Sequence, residues 1–167
     1  MEKKAEYWIK KLGLCSHPEG GYFREMYRSQ EIIPKKSLPA RYPADRVFST
    51  AIYFLLESHQ VSKFHRLRSD EMWFYHAGSS LTLYIIEREG TLRQLQVGTD
   101  LDNGDQPQVF IEHGVWFGAK VNQENSYTLV SCAVTLGFDF EDFELAAQEQ
   151  LLADYPQHRE IIESLTY

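Results

Sequence analysis

The stretch Phe64-His65-Arg66-Leu67-Arg68-Ser69-Asp70-Glu71-Met72-Trp73-Phe74-Tyr75-His76-Ala77-Gly78 decides how this chain is read. It gathers two histidines, two acids and two arginines into fifteen residues. Strand-like apolar runs flank it, from Thr50 to Leu56 and from Leu81 to Ile86. Side chains alternate faces along a strand, so His65 and Leu67 share one face, as do Glu71, Trp73 and Tyr75. A His and a Glu on neighbouring strands, pointing the same way, meet inside a barrel or sandwich. The competing reading is a polar edge hairpin with solvated charges.

Outward from that stretch the chain reads as strands framed by helices. Residues 4 to 12 place Tyr7, Trp8, Ile9 and Leu12 near helical spacing, with Gly13 at the stop position. Leu14 to Gly21 is a turn. Tyr22 to Arg28 is a strand with Tyr22, Arg24, Met26 and Arg28 on one face and Phe23, Glu25 and Tyr27 on the other. Residues 29 to 46 form a long loop with three prolines, a length that goes with a lid, an interface or disorder. Arg46 to Glu57 is almost continuously apolar and predicts a strand buried on both faces. Further strands are expected over Leu81 to Glu87, Thr91 to Val97, Gln108 to Glu112, Val115 to Val121 and Ser126 to Thr135. An aromatic and acidic crossover, Gly137 to Phe143, leads to helices over Phe143 to Tyr155 and Gln157 to Leu165. About eight short strands with terminal helices point to an all-β antiparallel barrel or jelly roll.

The chain has 167 residues, which suits one domain, and its 43% hydrophobic content supports a core without disulfides or metal. With 24 acids against 17 bases, the net charge of −7 argues against nucleic-acid binding. Cys15 and Cys132 form no C-x-x-C pair and read as reduced thiols. No apolar run is long enough for a membrane helix, and the stretch from Met1 to Trp8 lacks a signal-peptide core. A cytoplasmic protein without membrane contact is expected.

The spacing His65, Glu71, Gly78 resembles the first cupin motif, G-x5-H-x-H-x(3,4)-E-x6-G. Glu112-His113-Gly114-Val115-Trp116-Phe117 echoes the second. More specifically, the chain resembles the DUF985 or Cupin-5 group. The matching blocks are His17-Pro18-Glu19-Gly20-Gly21-Tyr22-Phe23-Arg24-Glu25, His65-Arg66 with Ser69-Asp70-Glu71 and Trp73, and Gly137-Phe138-Asp139-Phe140-Glu141-Asp142-Phe143. The resemblance implies a cupin double-stranded β-helix, a jelly-roll barrel, in a homodimer. Metal cupins take two His and a Glu from the first motif and a His from the second. Here Leu67 and Phe117 stand at two of those positions, and the remaining two ligands are too few for a tight site, so no metal and no cofactor are expected. Gly21-x-Phe23-x-Glu25-x-Tyr27 is also similar to a segment of the metal-independent sugar-nucleotide 3,5-epimerases, with Gly20 in place of that segment's Arg.

A metal-free site needs its own acid and base. His65 is the expected base, because imidazole titrates near neutrality. Glu71 or Asp70 orients it, and Tyr53 or Tyr75 returns a proton. Arg24, Arg66 or Arg68 holds a carboxylate or phosphate. Phe23 and Glu25 flank a ligand, and Trp73, Trp116 and Phe117 stack on it or fill the barrel. The leading expectation is a protein that binds a small carbohydrate-like or nucleotide-sugar ligand, with epimerase or isomerase chemistry. A non-catalytic binder, a structural dimer and a metal enzyme with an incomplete ligand set are the alternatives.

Overall fold

The computed structural model describes residues 3–166; Met1, Glu2 and Tyr167 lie outside the described residues. Helix α1 (Ala5–Leu12) ends at Gly13, whose φ of 63° supplies the left-handed cap. Thirteen strands follow: β1 (Cys15–Ser16), β2 (Tyr22–Arg28), β3 (Ile32–Ile33), β4 (Arg46–Val47), β5 (Thr50–Glu57), β6 (Ser62–Arg66), β7 (Asp70–Gly78), β8 (Leu81–Ile86), β9 (Leu92–Val97), β10 (Gln108–Ile111), β11 (Trp116–Val121), β12 (Tyr127–Thr135) and β13 (Glu144–Leu145). Helices α2 (Gln148–Asp154) and α3 (Arg159–Leu165) close the chain. Among the described residues, no helix is long and apolar enough to cross a membrane.

Two antiparallel sheets face each other. One runs β1-β2-β5-β12-β7-β10 and the other β13-β6-β11-β8-β9. The chain changes sheet at each step from β5 through β8, which gives a jelly roll. The sheets pack as a sandwich and are not joined into a closed, hydrogen-bonded barrel among the described residues. Alternation then sorts the side chains. On β8, Leu81, Leu83 and Ile85 enter the core between the sheets with Phe54, Leu56, Trp73, Val130 and Phe117. Ile86 turns the other way, under Leu151, Ile162 and Leu165 of the C-terminal helices. Leu55 of β5 likewise packs outward with Ala5, Tyr127 and Leu129, beside α1. Helices on both outer faces therefore explain strands that read as continuous apolar runs.

Three expectations are corrected. The apolar run from Arg46 is two strands, broken at Phe48–Ser49, and its first part pairs with β3. The loop 29–46 is thereby pinned. Tyr42, 1% exposed, shares a 2.8 Å hydrogen bond with Ser69 of the β6–β7 turn. The helix expected from Phe143 begins only at Gln148, because Glu144 and Leu145 pair with Arg66 and His65 along the edge of β6.

Candidate functional site

His65 and Glu71 do meet around one cavity, from opposite sheets rather than from neighbouring strands of one sheet. The cavity holds about 230 Å³ and opens between the sheets. Its polar groups are His17, Glu19, His65, Glu71, Thr50 and Cys132, with Glu25, Arg28 and Asp139 also lining it. Phe23, Phe54, Trp73 and the aromatics of segment 138–143 supply the apolar walls.

The deepest feature is a buried acid–imidazole pair. Glu19 Oε2 stands 3.1 Å from His65 Nε2, and Ser62 Oγ donates to Glu19 Oε1 at 2.7 Å. His65 Nδ1 lies 2.7 Å from the Lys63 carbonyl oxygen. A carbonyl only accepts, so Nδ1 carries a proton and Nε2 faces Glu19. One proton is therefore shared between Glu19 Oε2 and His65 Nε2. Burial pulls the His65 pKa down to about 4, against a smaller opposing effect of the Lys63 carbonyl. Burial likewise raises that of Glu19, against the lowering effects of His17 and the Ser62 hydrogen bond, and both shifts favour the neutral form of each partner. His17 Nδ1 accepts the Glu19 main-chain N–H at 3.2 Å, so its own proton is on Nε2; burial lowers its pKa as well.

The chain reaches this geometry through Gly20. Its φ is 114°, and a Cβ there would lie 2.1 Å from the Val61 carbonyl oxygen. Only glycine fits, and that close approach lets Lys63 N donate to the Glu19 carbonyl at 2.8 Å, laying the loop along β6.

Glu71 faces the pair across the cavity. It is 7% exposed, and burial pushes its pKa up to about 8, with Glu19 adding to the rise to the extent that it is ionised. The Trp73 indole N–H and the Cys132 thiol oppose that rise from nearby. Glu71 is therefore a neutral acid near pH 7. Its Oε2 and the Trp73 Nε1 are both buried without a hydrogen-bond partner. Two such groups, on one face of β7 and engaging each other and the Cys132 thiol only weakly, are costly in a folded chain unless something else engages them.

Of the residues expected from sequence, His65, Glu71, Phe23, Glu25 and Trp73 line this cavity. The Phe117 ring packs against the His65 ring at a tilt of 57°, with centroids 4.1 Å apart. The others are elsewhere. Asp70 faces out and accepts from His113 N at 2.9 Å, with His113 Nδ1 at 2.7 Å. The Tyr75 hydroxyl donates to the Gly78 carbonyl. Arg24 reaches the Leu12 carbonyl at 2.8 Å, and Tyr53, opposite it in register, packs toward α1. Arg66 pairs with Glu144 and lies over Trp116, which packs in the cluster beneath α2 and α3. Arg68 is bound to the Arg41 carbonyl. Alternation turns Asp70, Arg24, Tyr53, Arg66 and Trp116 to the far side of their sheets, whereas Arg68 lies in the β6–β7 turn and Tyr75 packs against the core between the sheets, away from the cavity. Arg28 is the converse: a bulge between Glu25 and Tyr27 moves it to the cavity, where it grips Glu25 and donates to the Phe138 carbonyl. His17, Glu19 and Cys132 were not singled out from sequence. The polar His17-x-Glu19 pair ahead of two glycines was the available signal.

A family model described as "Cupin superfamily (DUF985)" matches residues 6–146. The chain belongs to this family. It is 30% identical over 139 residues to the uncharacterized protein YML079W of Saccharomyces cerevisiae, covering 77% of this chain and 68% of that one. Protein SO0799 from Shewanella oneidensis superimposes with a TM-score of 0.88 at 45% identity, over 99% of this chain and 98% of that one. A hypothetical protein from Leishmania major gives 0.89 at 37% identity, over 99% of each chain. Oxalate decarboxylase from Bacillus subtilis shares the fold at a TM-score of 0.54 and 14% identity, over 90% of this chain and 36% of that protein.

Many cupins hold a metal, and the donor set here was tested for one. At the expected ligand positions, His65 and Glu71 are joined by Leu67 and Phe117, and the Phe117 ring covers the imidazole. His65 has both nitrogens engaged, with Lys63 and with Glu19. Among the described residues no group of three His, Cys, Asp or Glu side chains is arranged to hold an ion. The residues of this cupin do not fit a metal centre.

Proposed function

We propose that this cupin binds a small, electrically neutral, carbohydrate-like carbonyl compound and isomerises or epimerises it by metal-independent proton transfer. One observation carries the reading: the Glu71 carboxyl and Trp73 indole N–H, buried without a hydrogen bond of normal geometry, face the Glu19–His65 pair across a single cavity. A carboxyl kept neutral at pH 7 donates a hydrogen bond as a carboxylate does not. With the Trp73 N–H it makes a two-donor seat for a carbonyl oxygen, where charge develops as the adjacent C–H bond breaks. The carbon-bound proton passes to Glu19 while Glu19 passes its own to His65 Nε2. The Lys63 carbonyl on Nδ1 supports the resulting imidazolium. Glu71 gives its proton to the substrate oxygen, and a neutral enol results. Reversal on the other face, or at the neighbouring carbon, yields the isomer.

Charge argues for a sugar rather than a sugar nucleotide. Arg28 is the one Arg or Lys lining the cavity among the described residues, and it is already matched by Glu25 at 2.8 Å with Asp139 close by. A diphosphate finds no uncompensated cation there. The reading includes a homodimer. β1 covers only the start of β2, opposite Tyr22 and Phe23, so the outer edge of Arg24 to Arg28 is open to a strand from a second copy.

The test is hydrogen exchange. Neutral aldoses and ketoses are incubated with the protein in D2O, and loss of the proton beside the carbonyl is followed by NMR, with binding followed by thermal shift. Exchange is expected, and His65→Asn and Glu71→Gln should each slow it by about 100-fold or more. A non-catalytic binder is the second reading, favoured by the fact that Glu19 already occupies His65 Nε2. Saturable binding without exchange selects it. Neither binding nor exchange across the set overturns both.

A further inference from the structure

Leu67 and Phe143 line the cavity on one side and a second, open groove of about 370 Å³ on the other. Arg41, Arg66, Arg68 and Arg88 converge on that groove, four of the nine arginines in a chain whose net charge is −7. Two of the four are matched by carboxylates. Arg66 grips Glu144 with bonds of 2.7 and 3.0 Å, and Arg88 lies 3.3 Å from Glu112 and donates to the His113 carbonyl.

Arg41 and Arg68 are held differently. Arg41 Nε donates to the Arg68 carbonyl at 2.8 Å, and Arg68 Nη1 donates to the Arg41 carbonyl at 2.7 Å. This reciprocal clasp fixes both guanidinium groups at the groove through neutral oxygens and leaves most of their N–H donors free of those two bonds. The carboxylates around them are committed elsewhere. Asp142 Oδ1, 3.5 Å from Arg68, belongs to a buried two-bond pair with Arg46. Asp70, within electrostatic reach of Arg41, is held by His113, and Glu141 lies 3.5 Å from Arg46. His113 accepts from Arg88 on Nε2 and so offers the groove no N–H there. In a chain with surplus acids, two pre-oriented cations whose nearest carboxylates are already held by other partners are arranged for an anion from outside. Planar guanidinium forks match the oxygens of a tetrahedral phosphate.

We infer that the Arg41–Arg68 clasp is a binding site for a phosphate dianion, either free or as the phosphoryl group of a small monoester, separate from the cavity. The negative surface repels long polyanions, which restricts the site to small ones.

The test is titration of the intact protein with inorganic phosphate and with phenyl phosphate at low ionic strength, followed by calorimetry and by the arginine side-chain N–H signals in NMR. Saturable binding is expected, with perturbation centred on Arg41 and Arg68. Arg41→Gln and Arg68→Gln should each weaken it about tenfold, the effect of losing one charge-assisted contact. Arg41→Lys, which keeps the charge without the fork, should fall between. Tighter binding of phenyl phosphate assigns a monoester; equal binding assigns free phosphate. Thermal unfolding of each variant separates lost binding from lost folding. Absence of saturation in the wild type, or unchanged affinity in a folded Arg41→Gln/Arg68→Gln double variant, overturns the assignment.

Discussion

The cavity and the groove share a wall at Leu67 and Phe143 and obey opposite electrostatics. In the cavity Glu19, His65 and Glu71 are buried, and burial shifts their protonation. Glu71 is raised to about 8 and His65 lowered to about 4, so both are neutral near pH 7. In the groove the groups are partly exposed, and charge meets charge: Arg66 with Glu144, Arg88 with Glu112. One side holds protons that chemistry can move, and the other holds charges that an ion can exchange. The lesson is that burial, more than residue type, decides which of the two a carboxylate becomes.

The pKa shift of Glu71 tests the cavity half of that contrast through pH. Glu71 has its pKa raised from 4.5 to about 8, so its contribution to stability is fully present below pH 4.5 and is lost as pH rises through 8. The span corresponds to about 5 kcal/mol at most. His65, lowered from 6.5 to about 4, contributes stability that is present above pH 6.5 and is lost as pH falls toward 4, about 3 kcal/mol. The two slopes oppose each other between about pH 4.5 and 6.5, and a net fall of about 2 kcal/mol remains from pH 6.5 to 8. Urea unfolding at pH 5.5, 6.5 and 8.5 measures this. Glu71→Gln should flatten the alkaline limb and be more stable than wild type at pH 8.5. A wild type equally stable at pH 6.5 and 8.5 would break the comparison, since Glu71 would then titrate as an exposed acid does.

The same contrast explains what could be read in the sequence. The alternation of β7 separates Glu71 and Trp73, which face the cavity, from Asp70, which faces out, and that period was visible. So was the doubly buried character of β5. Arg28 was misplaced because a bulge resets the period without any mark in the residue pattern. Phe143 and Leu145 have helical spacing to the residues that follow. Pairing of Glu144 and Leu145 with the edge of β6 overrides it, a tertiary event that no local window contains. Glu19 reaches His65 from 46 residues away in a loop whose path depends on the positive φ of Gly20. The Arg41–Arg68 clasp joins side chains to main-chain carbonyls across 27 residues. Periodicity places side chains on faces; it does not bring loops to them.

Arg46 sharpens the comparison from between the two regions. It and Asp142 are each 3% exposed in their side chains, with bonds of 2.6 and 2.7 Å, and they anchor the segment 138–143 that walls the cavity. Arg46→Met leaves Asp142 buried with only the half-exposed Arg68, 3.5 Å away, and a loss of about 3–5 kcal/mol is expected. Aromatic side-chain signals of Phe138, Phe140 and Phe143 should broaden or shift in the same variant. A loss below about 1 kcal/mol with unchanged aromatic signals would mean that water reaches Asp142, and that the pair behaves as a groove charge does.

The smallest effect belongs to the groove itself. Arg66 and Glu144 make two short bonds, as Arg46 and Asp142 do, yet their side chains are 41% and 55% exposed. Geometry alone would rank the two pairs as equals. Solvent separates them, because water competes for both partners and screens their attraction. A double-mutant cycle of Arg66→Ala and Glu144→Ala should give a coupling of about 0.5 kcal/mol, smaller at high salt. The cycle cancels the stacking of Arg66 over Trp116, which either single change would otherwise confuse with the pair. A coupling of several kcal/mol would show that the groove is shielded from water. Its arginines would then resist exchange of partners, and an anion would have to displace a bound carboxylate rather than join an open clasp.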